Sequence, residues 1–243
     1  LPKSKELQES QIIEAITEGS VLTAHSFTKY KKRKHSIDKI TIKASSELKP
    51  IVARAALVCK NENLLKDWIS DSPSTMDTTE MERLSKEVCK KAGIKIKILH
   101  EAELTKKKMD MIVAVGKGAT SGPRLVIAEY NGNKSSKEKI ALVGKGIVFD
   151  SGGINLKPTG YIETMKLDKT GALTVLATMK TAAELKLKIN ILGLMPFCEN
   201  AIGPEAYKPG DIIRSYSGKT VEITNTDAEG RVILADALTY AAE

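Results

Sequence analysis

The sequence predicts an α/β fold, a layered αβα domain around a mixed, largely parallel central sheet. Helical and strand-like patterns alternate along the chain. Several strand-like stretches, among them 124–130 (RLVIAEY), 140–149 and 190–196 (NILGLMP), are continuous apolar runs rather than alternating ones, as expected of strands covered on both faces. The 243 residues, 42% of them hydrophobic, suffice for a sizeable core in one large domain.

The elements follow in order. Residues 7–23 carry apolar side chains at 12, 13, 16 and 21, a partly helical spacing. KITIK at 39–43 alternates like a strand. Residues 51–69 read as a helix, ended by Ser70-Asp71-Ser72-Pro73. Residues 79–92 read as a second helix, with Thr79 and Glu82 as its capping box. KIKILH at 95–100 reads as a strand, and 109–115 as a short apolar element closed by Gly116. Beyond the apolar run at 140–149 come a helix at 171–187, the strand at 190–196, two strands within 212–225 around the Ser217-Gly218 turn, and a helix from 232 onward. The chain opens on Leu1 and stops inside a helical pattern, LADALTYAAE, so both ends are expected to be cut from a longer protein.

The net charge, 38 − 30 = +8, is concentrated in KYKKRKH at 29–35, KK at 90–91 and KKK at 106–108. Such runs can bind nucleic acid or an acidic membrane. Single-strand binders pair them with aromatic platforms, and aromatics are only 4% here. A solvated lysine-rich surface is the favoured reading, with 29–35 as an exposed linker or loop. Cys59, Cys89 and Cys198 are isolated and form no CxxC pair, which fits a reducing compartment without disulfides. No apolar stretch approaches the length of about eighteen residues that a membrane span needs.

Three polar clusters sit at predicted element ends. The first is Lys145, Asp150, Ser151-Gly152-Gly153 and Lys157; the second is Lys166 and Asp168; the third is 225–231, NTDAEGR. In open α/β sheets ligands gather at the carboxyl ends of strands, and Asp150 ends a predicted strand that carries Lys145 inside its apolar run. In an extended segment Asp227 and Glu229 would point the same way. Two adjacent carboxylates raise each other's pKa unless a cation separates them; Arg231 or a divalent metal could be that cation. Gly152-Gly153 belongs to no GxxxxGK[ST] or GxGxxG phosphate loop and fits a sharp turn. His25, His35 and His100 stand alone without HExxH spacing. A site built from carboxylates suits hard or borderline cations: Mn²⁺, Mg²⁺ or Zn²⁺. Four carboxylates could serve two ions about 3.5–4 Å apart, and a lysine could join them only as a neutral amine.

VGKGIVFDSGGINLKP at 143–158, ETMKLDKTGALTVL at 163–176 and NTDAEGRVILADAL at 225–238 resemble the leucyl aminopeptidase (cytosol aminopeptidase) family. So do VGKGATSGPRLVIAEY at 115–130 and YKPGDIIRSYSGKTVEI at 207–223; the likeness runs from the second helix to the end. The resemblance implies a metallo-exopeptidase acting on peptides with a free N-terminus, with a leucine-type preference. It implies two divalent metals, Mn²⁺ or Zn²⁺ with Mg²⁺ as a further candidate, held by Lys145, Asp150, Asp168, Asp227 and Glu229. Lys157 and Arg231 would be catalytic: Lys157 steadies the oxyanion, and Arg231 holds a bicarbonate that serves as general base. Met165 and Lys157 would line the substrate site. A homohexamer, a cytoplasmic location and a division into a linker region (1–45) and a catalytic domain (46–243), incomplete at its C-terminus, are implied too.

One segment departs from the family pattern. Where the family reads D-M-G-G, this chain has Asp168-Lys169-Thr170-Gly171. An outward Lys169 would be harmless, whereas an inward one would compete with metal for Asp168. The alternative reading is an inactive or truncated homologue that binds partners through its basic surface. A third reading, another dinuclear hydrolase such as a phosphatase, comes last, because this chain lacks the histidines such sites commonly use.

Overall fold

The computed structural model describes residues 7–31, 37 and 39–243. The chain forms two compact units, the first ending at Asp67 and the second running from Trp68 to Glu243.

The first unit contains α1 (Glu9–Ala24) and most of α2 (Lys49–Ser70). Ile13 and Thr17 of α1 and Ala55 and Cys59 of α2 are buried. Polar ties join the two helices: Arg54 to Glu14 at 2.7 Å, and the Asn63 amide donating to the Val21 carbonyl at 3.0 Å. His25 lies 2.8 Å from Asp67, an ordinary structural partnership. Residues 39–43 are not the expected strand. They lie in no regular element and are mostly exposed, because alternation supplies no ladder partner by itself. Of the basic run at 29–35, Lys29, Tyr30 and Lys31 are exposed; 32–35, His35 included, lie outside the described residues.

The second unit is built on a five-stranded sheet of β1 (Lys95–His100), β2 (Arg124–Asn131), β3 (Ile140–Val143), β4 (Gly146–Asp150) and β5 (Asn190–Asn200). The order is β1-β2-β5-β3, with β4 also on β5. β1 pairs antiparallel with β2, and β2 with β5; β3 and β4 run parallel to β5. The sheet is mixed as expected, but only its β3 and β4 pairings are parallel. A continuous apolar run reports that both faces are covered and says nothing of strand direction, so β2 looks like a parallel strand without being one.

Helices do cover both faces. Leu125 and Ile127 of β2 join one core with Leu194 and Cys198 of β5, α5 (Asp110–Gly116) and α7 (Glu229–Ala241). Their neighbours Val126 and Ala128 alternate to the opposite face, where α3 (Thr78–Ala92) and α6 (Thr170–Glu184) pack. α6 sits so close on β5 that a Cβ at Gly193 would stand 2.2 Å from the Met179 sulfur.

Several boundaries differ from expectation. The helix at 79–92 is capped by Asp77, whose carboxylate accepts from the Glu80 N–H at 2.8 Å. Glu82 is engaged instead by Lys86, His100 and Arg124; they outweigh burial and hold it at about 2. A short helix, α4 (Glu101–Lys106), separates β1 from α5. The apolar run at 140–149 is two strands, broken at Gly144-Lys145. There the Lys145 carbonyl accepts from the Ala172 N–H at 2.7 Å, and a Cβ on Gly144 would lie 2.4 Å from the Gly171 carbonyl oxygen. Lys145 therefore sits in a break that α6 presses against, not inside a strand. β5 continues four residues past the predicted end at 196, to Asn200, and the hairpin β6 (Ile212–Arg214) and β7 (Thr220–Glu222) forms as expected.

Asp236 of α7 joins this half of the unit. It is fully buried and accepts from the Met111, Ile112 and Tyr216 N–H groups at 3.1, 3.2 and 2.7 Å. It thereby ties α7 to α5 and to the hairpin. Asp236→Ala would orphan two buried donors and one part-buried donor, a loss of about 3 kcal/mol. We expect the thermal midpoint to fall by at least about 5 °C, read by circular dichroism.

Candidate metal centre

Five short segments bring the polar clusters together. Asp150 ends β4, opposite Asn200 of β5. Gly152 and Gly153 follow with φ of +89° and +67°, a left-handed turn that glycine adopts freely. The turn folds the chain back, so that the Lys157 N–H donates to the Ser151 carbonyl at 2.9 Å. Asp168 follows a 3-10 turn, Met165–Leu167, and precedes α6. Asp227 lies in a second 3-10 turn, Thr226–Ala228, and Glu229 is the first residue of α7. Asp227 and Glu229 thus do not share one side of an extended strand. A turn and a helix start place them.

The side chains then interlock. Lys145 Nζ lies 2.6 Å from both Asp168 Oδ2 and Glu229 Oε1. Lys157 Nζ lies 2.9 Å from Asp150 Oδ2 and hydrogen-bonds Asp227. Asp150, Asp227 and Glu229 each offer an oxygen within 4.8 Å of the others. Four carboxylates against two ammonium groups leave a formal charge of 2 − 4 = −2.

This donor set fits divalent cations. Glu229 is only 1% exposed, and its Oε2 has no hydrogen-bond partner among the described residues. A buried anionic oxygen without a donor is costly, and a cation would satisfy it. Burial pushes the Glu229 carboxyl above its usual range, and nearby Asp150 adds to this against the pull of Lys145. Burial likewise raises Asp168. Burial pulls Lys145 down, but its ion pairs with Asp168 and Glu229 win and hold it protonated. Lys145 can become a ligand only by giving up that proton, so cation uptake through it would release protons and strengthen with pH. Space is reserved for this amine, since a Cβ on Gly230 would meet Lys145 Cε at 2.6 Å and Nζ at 2.9 Å.

The structure thus gathers Lys145, Asp150, Lys157, Asp168, Asp227 and Glu229. It does not place Arg231 between Asp227 and Glu229, where Lys145 and Lys157 supply the positive charge instead. Arg231 is exposed and, among the described residues, makes no ion pair. Met165 is half-buried in the turn before Asp168, whose N–H it accepts at 3.2 Å. Sequence reasoning missed Asn200 and gave Gly230 no role. Asn200 could have been found had the strand at 190–196 been extended: it is a polar residue at the carboxyl end of an apolar strand, as Asp150 is.

Lys169 takes neither of the two expected positions. It is fully buried, its amine donates to the Lys166 carbonyl, and its opposite charge is Asp71 rather than Asp168. Lys166 in turn donates to the Ser70 carbonyl at 2.7 Å. Burial, with the like charge of Lys166, pulls Lys169 down to about 8 against Asp71. Its unfolded value is about 10.4. Between these values the unfolded chain holds more protons, so this residue's contribution to stability rises with pH; below about pH 8 its cost is present in full. Lys169→Met should therefore melt higher than the wild type at pH 7, with the gap closing toward pH 10 in parallel thermal scans.

Comparison with known proteins identifies a family. Residues 63–243 match the family model "Cytosol aminopeptidase family, catalytic domain". The probable cytosol aminopeptidase of Protochlamydia amoebophila (strain UWE25) is 36% identical over 251 residues, covering all of this chain and 50% of that protein. Among solved structures, the bottromycin maturation enzyme BotP in complex with Mn superposes with a TM-score of 0.91 at 30% identity, covering all of this chain and 51% of that one. The cytosol aminopeptidase from Coxiella burnetii does so with a TM-score of 0.89 at 32% identity, covering 99% of this chain and 52% of that one. The chain spans about half the length of the curated relatives it matches. Its sequence and fold place it in the cytosol aminopeptidase family, with residues 63–243 matching the family's catalytic domain.

Proposed function

We propose that the protein of which this chain is part is a two-metal aminopeptidase that releases N-terminal residues, leucine-type ones included, from peptides. The observation that carries the reading is the convergence of Asp150, Asp168, Asp227 and Glu229 on two lysines, around a buried Glu229 oxygen that has no donor. Bound there, Mn²⁺ or Zn²⁺, with Mg²⁺ as a further candidate, would polarise the scissile carbonyl and acidify a water.

The chain's own residues divide the remaining work. Asp150 and Glu229, the two most buried of the four site carboxylates, would be the central metal ligands. Lys145, Asp168 and Asp227 complete the set from its sides. Burial lowers Lys157, but its bonds to Asp227 and Asp150 raise it further, so it keeps its charge throughout the neutral range. It is thus an electrostatic group rather than a proton carrier. With Asp150 and Asp227 engaged as metal ligands, the Lys157 ammonium would be available to a developing oxyanion. Arg231, exposed and without an ion pair among the described residues, is suited to hold a small anion such as bicarbonate beside the reaction, and that anion would take the proton. Met165, before Asp168, lines the substrate side with Lys157. A cytoplasmic location and a hexameric assembly belong to the same reading; among the described residues no helix is long and apolar enough to cross a membrane.

Two experiments on the full chain test this. Hydrolysis of leucine p-nitroanilide should appear on adding Mn²⁺ or Zn²⁺; a metal-loaded protein without it, but with salt-sensitive DNA binding, would favour a scaffold role through the basic surface. Asp227→Ala and Glu229→Ala should lower bound metal by elemental analysis. Lys157→Ala should retain metal yet lose about 100-fold or more in kcat. Metal lost with Lys157 would make that lysine structural.

A further inference from the structure

Asn200 belongs to none of the motifs that mark the site, yet it touches two of the segments that build it. It is fully buried at the end of β5. Its Nδ2 donates to Asp150 Oδ1 at 2.8 Å and to the Thr226 carbonyl at 3.0 Å. Its own carbonyl accepts from the Ser151 N–H at 3.0 Å and from Ser151 Oγ at 2.6 Å. Asp150 Oδ1 also accepts from the Gly152 N–H at 2.9 Å. That oxygen is therefore saturated by two donors, and Asp150 turns Oδ2 toward Lys157. A carboxylate without the Asn200 donor could rotate and offer either oxygen. The second bond acts on the other side of the site: Thr226 immediately precedes Asp227, and its carbonyl is shared between Asn200 and the Tyr207 hydroxyl, which donates at 2.8 Å.

We infer that Asn200 is a positioning residue of the metal centre: one amide fixes which Asp150 oxygen is presented and holds the Asp227–Glu229 turn at the matching distance. The inference rests on reading these carboxylates as metal ligands. Asn200 does both jobs through one amide, whereas Tyr207 steadies the same Thr226 carbonyl and, among the described residues, bonds no site carboxylate. This difference supplies the control.

Metal-stripped full chain would be titrated with Mn²⁺, with free ion read by electron paramagnetic resonance, for the wild type, Asn200→Ala, Asn200→Leu and Tyr207→Phe. Asn200→Leu keeps the side-chain volume in case the alanine variant loses the fold, and circular dichroism reports folding for each. The expected result is a 10- to 100-fold weakening of Mn²⁺ binding in a folded Asn200 variant, with Tyr207→Phe within about threefold of the wild type. Asn200→Leu binding Mn²⁺ like the wild type would overturn the inference. So would equal weakening in Tyr207→Phe, which would reduce Asn200 to a general structural tie. A wild type that takes up no Mn²⁺ would overturn the metal reading itself, and this inference with it.

Discussion

Four carboxylates gathered around two lysines repel, and the fold of the second unit is arranged around keeping them together. Lys145 bridges Asp168 and Glu229, and Lys157 bridges Asp150 and Asp227. Each lysine holds one pair: Lys145 holds Asp168, before α6, with Glu229, at the start of α7, and Lys157 holds Asp150, at the end of β4, with Asp227, in a 3-10 turn. Two positive charges still leave the group net negative. Burial at Glu229 makes that excess costly in a way that water cannot relieve. A site with this imbalance is prepared for cations.

The sheet supplies the rigidity that such crowding needs. β5 is the common neighbour of β2, β3 and β4, and its last residue faces Asp150. The close seat of α6 on β5 at Gly193, and of α6 on the Gly144-Lys145 break, fixes the lysine relative to the strand. Asp236 does the same for α7, which carries Glu229 at its first position. The site carboxylates therefore ride on elements anchored elsewhere, which is how a preorganised centre is held.

Lys169 shows the other side of this economy. A charged side chain is fully buried one residue from a predicted ligand, yet its bonds run to Lys166 and its charge partner is Asp71, on the side of the segment that follows α2. The departure from the family pattern is thus absorbed by local packing, and Asp168 keeps its contact with Lys145.

Much was legible in the sequence because the relevant physics is local. Apolar periodicity marked α1, α2, α3 and α6, continuous apolar runs marked the covered strands, and Gly152-Gly153 marked a turn whose positive φ angles need glycine. The polar clusters together with the family resemblance named the six side chains that meet, and also Arg231, which stands apart from them. Other features depend on partners distant in sequence. Strand direction in β2, the failure of 39–43 to form a strand, and the break at Lys145 are set by which neighbours donate hydrogen bonds. The arrangement of charge is likewise non-local: Lys145 and Lys157, not Arg231, stand among the carboxylates. Asn200 matters only because β5 runs parallel to β4, which brings its amide beside Asp150, fifty positions earlier. The sequence by itself determined the donor types and the turns that present them; the tertiary structure alone decided which oxygen meets which cation, because those distances are fixed by packing between elements far apart in the chain.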